Sequence, residues 1–202
     1  MIHHISCSNI RSWCSEINDL LSKYLPKSGR LFLPAGNTPI PLYEHWEETK
    51  PGFLKDSTLI QIDEVCGTKM FESFFRSHLP SYIQQFEWID IANKTADVAL
   101  LGIGENGHVG FHEPGIPPDF KGGEVELALQ TTLALNLDLD KAKGLTYGLG
   151  SFMECDAVIL AVRDRKKKPI VDRILQGDET LPASTFFHHK NAHIVTFYPD
   201  QT

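Results

Sequence analysis

Apolar residues recur at helical spacing between Ile10 and Tyr24, where Ile10, Trp13, Cys14, Ile17, Leu20, Leu21 and Tyr24 stand among polar and charged neighbours. This period predicts an amphipathic helix, with Pro26 and Gly29 ending it. Arg30–Pro34 reads as a short apolar strand, and Pro39 suits the first turn of a helix that starts near Thr38, because its missing N–H costs nothing there. Thr58–Asp63 alternates, is rich in β-branched residues and carries Asp63 and Glu64 at its carboxyl end, the pattern of a strand. Met70–Leu79 is a helix candidate with a stripe of Phe71, Phe74, Phe75 and Leu79, stopped by Pro80. Asp97–Ile103 and Ala157–Val162 are almost continuously apolar, as strands buried on both faces are. Pro169–Leu175 can form a helix before Gly177, and Ala192–Phe197 reads as a last strand.

Five strands with helical segments between most of them predict an α/β fold: three layers, modified Rossmann-like, a mostly parallel central sheet with helices on both faces. In such sheets ligands sit beyond the carboxyl ends of the strands. The 202 residues suit one domain spanning 1–202, with no repeat, linker or low-complexity tract. Nineteen Lys plus Arg against 26 Asp plus Glu give a net charge of −7, and 42% of residues are hydrophobic. That balance excludes a disordered chain and argues against nucleic acid as a partner. No apolar run approaches the roughly 18 to 20 residues that cross a bilayer, and Met1–Ser8 lacks a basic start and long apolar stretch, so no membrane partner is expected and the expected location is cytoplasmic. Cys7, Cys14, Cys66 and Cys155 form no CxxC pair, which points to reduced thiols and to neither a zinc site nor a disulfide framework. Cys155, beside an apolar strand, is expected in the core, and Cys66 partly exposed.

Three loops carry candidate chemistry. Pro34-Ala35-Gly36-Asn37-Thr38-Pro39 joins a strand to a helix, where free backbone N–H groups, the Thr38 hydroxyl and the helix dipole can hold a phosphate. The ordinary alternative is a tight turn with Asn37 or Thr38 capping the helix. Ile62-Asp63-Glu64 places carboxylates at a strand end, suited to general-base work in a partly dry cleft or to plain solvation. Gly102, Gly104 and Gly107 fit G-x-G-x-x-G, but Pro114, Pro117 and Pro118 interrupt the stretch where a dinucleotide fingerprint needs a long helix. The segment offers instead His108 on a glycine-rich loop, flanked by Asn106 and Glu113, which can fix its tautomer and charge. The run Arg163–Lys168 reads as a solvated helix start, yet its place after a strand lets one lysine reach the same cleft as a point charge for phosphate.

These motifs resemble the glucosamine-6-phosphate deaminase (isomerase) family, within the group that includes 6-phosphogluconolactonases. The resemblance covers about residues 30–197. Leu33–Pro39 is similar to the family's phosphate loop, Ile62–Gly67 to its aspartate-glutamate motif, and Leu101–His108 through Glu113-Pro114-Gly115 to its catalytic loop. Gly144–Met153, followed by a strand and Lys167, is similar to its segment before a phosphate-contacting lysine. The resemblance implies aldose-ketose isomerisation with deamination of an amino-sugar 6-phosphate, and no cofactor or metal. It gives Asp63 the proton transfer between C2 and C1, and His108, oriented by Asn106 and Glu113, assistance in ring opening. Gly36, Asn37, Thr38 and Lys167 would hold the phosphate, with Glu64 and Gly104 also on the substrate side. The sequence departs from the family at Val65-Cys66, at His112, in a shorter stretch between Pro80 and Leu101, and in the absence of arginine from Lys121–Lys143, where a lid normally supplies one.

A 6-phosphogluconolactonase-type hydrolase would use the same loop, with His108 activating water; Glu113-Pro114-Gly115 speaks against it, because that branch generally lacks the glutamate. A non-catalytic sugar-phosphate sensor is the third reading, although no helix-turn-helix or basic arm precedes Arg30. The expected partner is a small sugar phosphate, and a homo-oligomer is left open.

Overall fold

The computed structural model describes residues 1–90, 94–137 and 142–199. In chain order the strands are β1 (Ile2–Cys7), β2 (Arg30–Leu33), β3 (Thr58–Gln61), β4 (Asp63–Val65), β5 (Phe86–Glu87), β6 (Val98–Leu101), β7 (Gly122–Glu126), β8 (Lys143–Tyr147), β9 (Ala157–Val162) and β10 (Ala192–Phe197). The helices are α1 (Ile10–Tyr24), α2 (Ile40–Thr49), α3 (Met70–His78), α4 (Leu129–Ala134), α5 (Leu149–Phe152) and α6 (Lys168–Leu175).

Seven strands lie side by side in the order β1-β10-β9-β6-β2-β3-β5, and each pairing is parallel. Side chains of a strand alternate between its two faces, which explains how one apolar run serves two cores. From β9, Val158, Leu160 and Val162 pack with Phe32 and Ile60, Phe152 of α5, and Ile170 and Ile174 of α6. The intervening Ala157, Ile159 and Ala161 pack with Trp13 and Ile17 of α1, Trp46 of α2 and Phe75 of α3. The sheet is thus the middle of three layers, as the uninterrupted apolar strands imply. Parallel strands bring all their carboxyl ends to one side, so the loops that follow β2, β3, β6 and β9 emerge together.

A second sheet of three antiparallel strands, β4-β8-β7, has no counterpart in the sequence reading. The strand expected over Thr58–Asp63 stops at Gln61. Ile62 donates its N–H to the Leu33 carbonyl of the parallel sheet at 3.3 Å, and its own carbonyl accepts from the Tyr147 N–H of the antiparallel sheet at 2.9 Å. Asp63 therefore opens β4 instead of closing β3. The edge strand β1 also went unpredicted: of its six residues only Ile2 is buried, so it lacks an apolar run. The helix expected near Thr38 starts at Ile40, after Pro39. The expected boundaries of α1, β9 and β10 match.

Candidate active site

One cavity of about 1110 Å³ opens at the carboxyl ends of the parallel strands, lined by the loops after β2, β3, β6 and β9 and by α4. Gly36, Asn37, Thr38, Asp63, Gly104, Asn106, His108 and Lys167 all line it. Four segments far apart in sequence therefore share one pocket.

The loop after β2 turns at Gly36, whose φ of +99° lies where glycine is unstrained. No side chain caps α2, so the capping role open to Asn37 and Thr38 is not taken. The loop is instead pinned from two sides. Tyr43 donates its buried hydroxyl to the Pro34 carbonyl at 2.7 Å. Arg163 donates Nη2 to the Asn37 carbonyl at 2.9 Å and Nε to the Thr38 carbonyl at 3.3 Å. Sequence reasoning missed this clamp, because Arg163 reads there as one charge in a run. Arg163, Arg165, Lys166 and Lys167 all face the cavity, so a chain with net charge −7 concentrates cations at this point. Burial lowers the Lys167 ammonium from its ordinary value, opposed by the charges of Asp164 and Glu105.

The two carboxylates after β3 part company. Asp63 is buried, and its Oδ1 has no partner among the described residues. Burial, with the neighbouring charge of Glu64, pushes its carboxyl up to about 8. An unpaired buried carboxylate is costly, so at neutral pH this group holds its proton. Glu64 is not part of the cavity lining. Its carboxylate accepts from the N–H groups of Val65, Phe71 and Glu72 at 2.9–3.1 Å, from Gln61 Nε2 at 3.1 Å and from the Thr68 hydroxyl at 3.2 Å. It satisfies the free amides at the start of α3. The substrate-side place expected for Glu64 is thus not what the structure has.

In the loop after β6, His108 Nδ1 lies 2.7 Å from Asn106 Oδ1 and 3.3 Å from Glu113 Oε2. Both neighbours are acceptors, so Nδ1 carries the proton and Nε2 keeps its lone pair. Asn106 Nδ2 donates to Glu113 Oε2 at 2.7 Å, closing the triangle. Glu113 is buried behind His108, outside the lining. Burial alone would raise its carboxyl, but the hydrogen bond from His108 and the charge of that ring when protonated, with Thr131 and Asn106, hold it down to about 2. The imidazole lies against Gly104, where a Cβ would stand 2.2 Å from Cε1 and 2.4 Å from both ring nitrogens. Gly110, at φ +56°, brings the loop close to Asp63: a Cβ there would be 3.7 Å from Oδ2.

His112, a family departure, lies off the cavity; its Nε2 bonds the Ile116 carbonyl at 3.2 Å and its Nδ1 accepts from the Leu149 N–H at 3.2 Å. From the arginine-free stretch Lys121–Lys143, Gln130, Thr131, Ala134 and Leu135 line the cavity, while residues 138–141 lie outside the described part. Sequence reasoning did not single out Gln130 or Thr131, which have no motif around them. Among the described residues no group of His, Cys, Asp and Glu is arranged to hold a metal ion.

No family model matches the chain. It is 28% identical to a glucosamine-6-phosphate deaminase of Leuconostoc citreum across 95% of both chains. A Bacillus cereus protein of the same name is 36% identical over 126 residues, which are 59% of this chain and 48% of that one. Among solved structures, a monomeric glucosamine-6-phosphate deaminase superposes with a TM-score of 0.83 at 21% identity, covering 97% of each chain. The 6-phosphogluconolactonase of Leishmania guyanensis gives 0.77 at 14% identity, over 98% of this chain and 97% of that one.

Proposed function

We propose that the chain is a member of the group that unites glucosamine-6-phosphate deaminases with 6-phosphogluconolactonases, a reading supported by its similarity to curated deaminases, and that it converts glucosamine-6-phosphate, or a close amino-sugar 6-phosphate, with water to fructose-6-phosphate and ammonia. The observation that carries this reading is the meeting, in one cavity, of a buried unpartnered carboxyl at Asp63, an oriented imidazole at His108 and the cationic strand-end loops.

In this reading the backbone of Gly36 and Asn37, the Thr38 hydroxyl and Lys167 hold the phosphate, and anchoring that tail fixes the distance of the reacting carbons from Asp63. His108 Nε2 takes the proton from the anomeric hydroxyl and passes it to the ring oxygen as the sugar opens. The imidazolium formed in that step is stabilised by Glu113, whose carboxylate remains charged. Asp63 then removes the proton from C2 and returns it to C1, which moves the carbonyl character to C2. Water adds to the resulting iminium and ammonia leaves. The substrate's ammonium supplies the positive charge that draws the buried Asp63 into its ionised form, so the base becomes active when occupied.

Ammonia release from a small panel of amino-sugar 6-phosphates tests the proposal. Asp63→Asn and His108→Ala are each expected to lower turnover at least about a hundredfold, as loss of a positioned acid–base group does. Consumption of a phosphorylated sugar lactone without ammonia release from any amino sugar would favour the hydrolase instead.

A further inference from the structure

Helix α4 is buried the wrong way round for a helix docked by apolar contact. Leu129 and Leu133 are 64% and 58% exposed, whereas Thr131 and Thr132 are 7% and 2% exposed. Thr132 returns its hydroxyl to the Ala128 carbonyl of its own segment at 3.1 Å. Thr131 reaches out of the helix: its hydroxyl donates to Glu113 Oε1 at 2.5 Å. The other oxygen of Glu113 receives Asn106 and faces His108 Nδ1. One carboxylate thus ties α4 to the imidazole, while Gln130 and Ala134 of the same helix line the cavity.

We propose that Thr131 is a positioning residue, which holds the Glu113 carboxylate in the rotamer that receives Asn106 and His108 and so keeps the histidine proton on Nδ1. Without the hydroxyl, Oε1 of a buried carboxylate loses its partner, and rotation to find another disengages Oε2. The inference draws on the proposed reaction only for its kinetic consequence; the hydrogen-bond chain itself is independent of substrate.

Two variants separate the hydroxyl from the volume: Thr131→Val removes the donor and keeps the shape, while Thr131→Ser keeps the donor. The first measurement, on the unliganded protein, is the 15N chemical shifts of His108, which distinguish the Nδ1–H from the Nε2–H tautomer. The wild type and Thr131→Ser should show Nδ1–H, and Thr131→Val a mixture. The second is ammonia release, where Thr131→Val should lose about tenfold or more in kcat with KM within about threefold, and Thr131→Ser should stay near the wild type. The proposal is overturned by an unchanged tautomer in Thr131→Val, by a serine variant as impaired as the valine one, or by an effect confined to KM. A wild type that releases no ammonia defeats the proposed reaction, and the tautomer measurement then still decides the role of Thr131.

Discussion

The two faces of strand β4 carry the same functional group in opposite states. Toward the cavity, Asp63 is buried, its side-chain Oδ1 has no hydrogen-bond partner among the described residues, and its carboxyl is pushed up to about 8. On the other face, Glu64 is equally buried and accepts from the amides that open α3, from Gln61 and from Thr68. A one-residue step along a strand reverses the side of the sheet, and here it separates a carboxyl that faces the cavity from one spent on structure. Partner count, not burial, makes the distinction. The lesson carries to His108 and His112, where the first faces the cavity and the second is fully engaged between Ile116 and Leu149.

The sharpest way to break this contrast is to neutralise each carboxylate in turn. Asp63→Asn should lower turnover at least about a hundredfold yet raise stability at high pH. The carboxyl titrates near 8 in the folded protein and near about 4 when unfolded. The folded state therefore binds the extra proton between those values, and the wild type loses stability as pH rises through that window. The variant escapes this loss, so its unfolding free energy should exceed the wild type's by at least about 1 kcal/mol at pH 8 and match it near pH 4. Glu64→Ala should do the reverse in denaturant melts, costing about 2–4 kcal/mol because several buried donors lose their acceptor. Equal stability changes in the two variants would remove the distinction.

Gly104→Ala should have a smaller effect on activity than loss of Asp63, but a clear one. The new methyl meets the imidazole at 2.2–2.4 Å and must displace it, so kcat should fall about tenfold or more while the melting curve barely moves. Arg163→Ala should have the smallest effect: the loop after β2 loses its clamp on the Asn37 and Thr38 carbonyls. KM for the phosphorylated substrate should rise several-fold, on the order of one lost charged hydrogen bond, with kcat little changed.

Most of the parallel sheet could be read from the sequence because its strands are driven by burial on both faces, which writes long apolar runs at Val98–Leu101, Ala157–Val162 and Ala192–Phe197. The strands of the small sheet leave weaker traces: Gly122–Glu126 and Lys143–Tyr147 mix glycine and charge with few apolar residues. Convergence of the three loops follows from parallel topology once the strands are placed. The orientation of Asp63 against Glu64 does not, because it depends on Ile62 leaving one sheet and entering the other. Arg163 and Thr131 act through contacts 125 and 18 residues away, and neither carries a local pattern that announces its partner.

The most direct test of the central claim is a product balance: the purified protein is given glucosamine-6-phosphate, and ammonia and fructose-6-phosphate are measured together for the wild type and Asp63→Asn. One ammonia for each fructose-6-phosphate, with both falling at least about a hundredfold in the variant, is the expected result. Absence of ammonia from the wild type, or undiminished release by Asp63→Asn, would contradict the account.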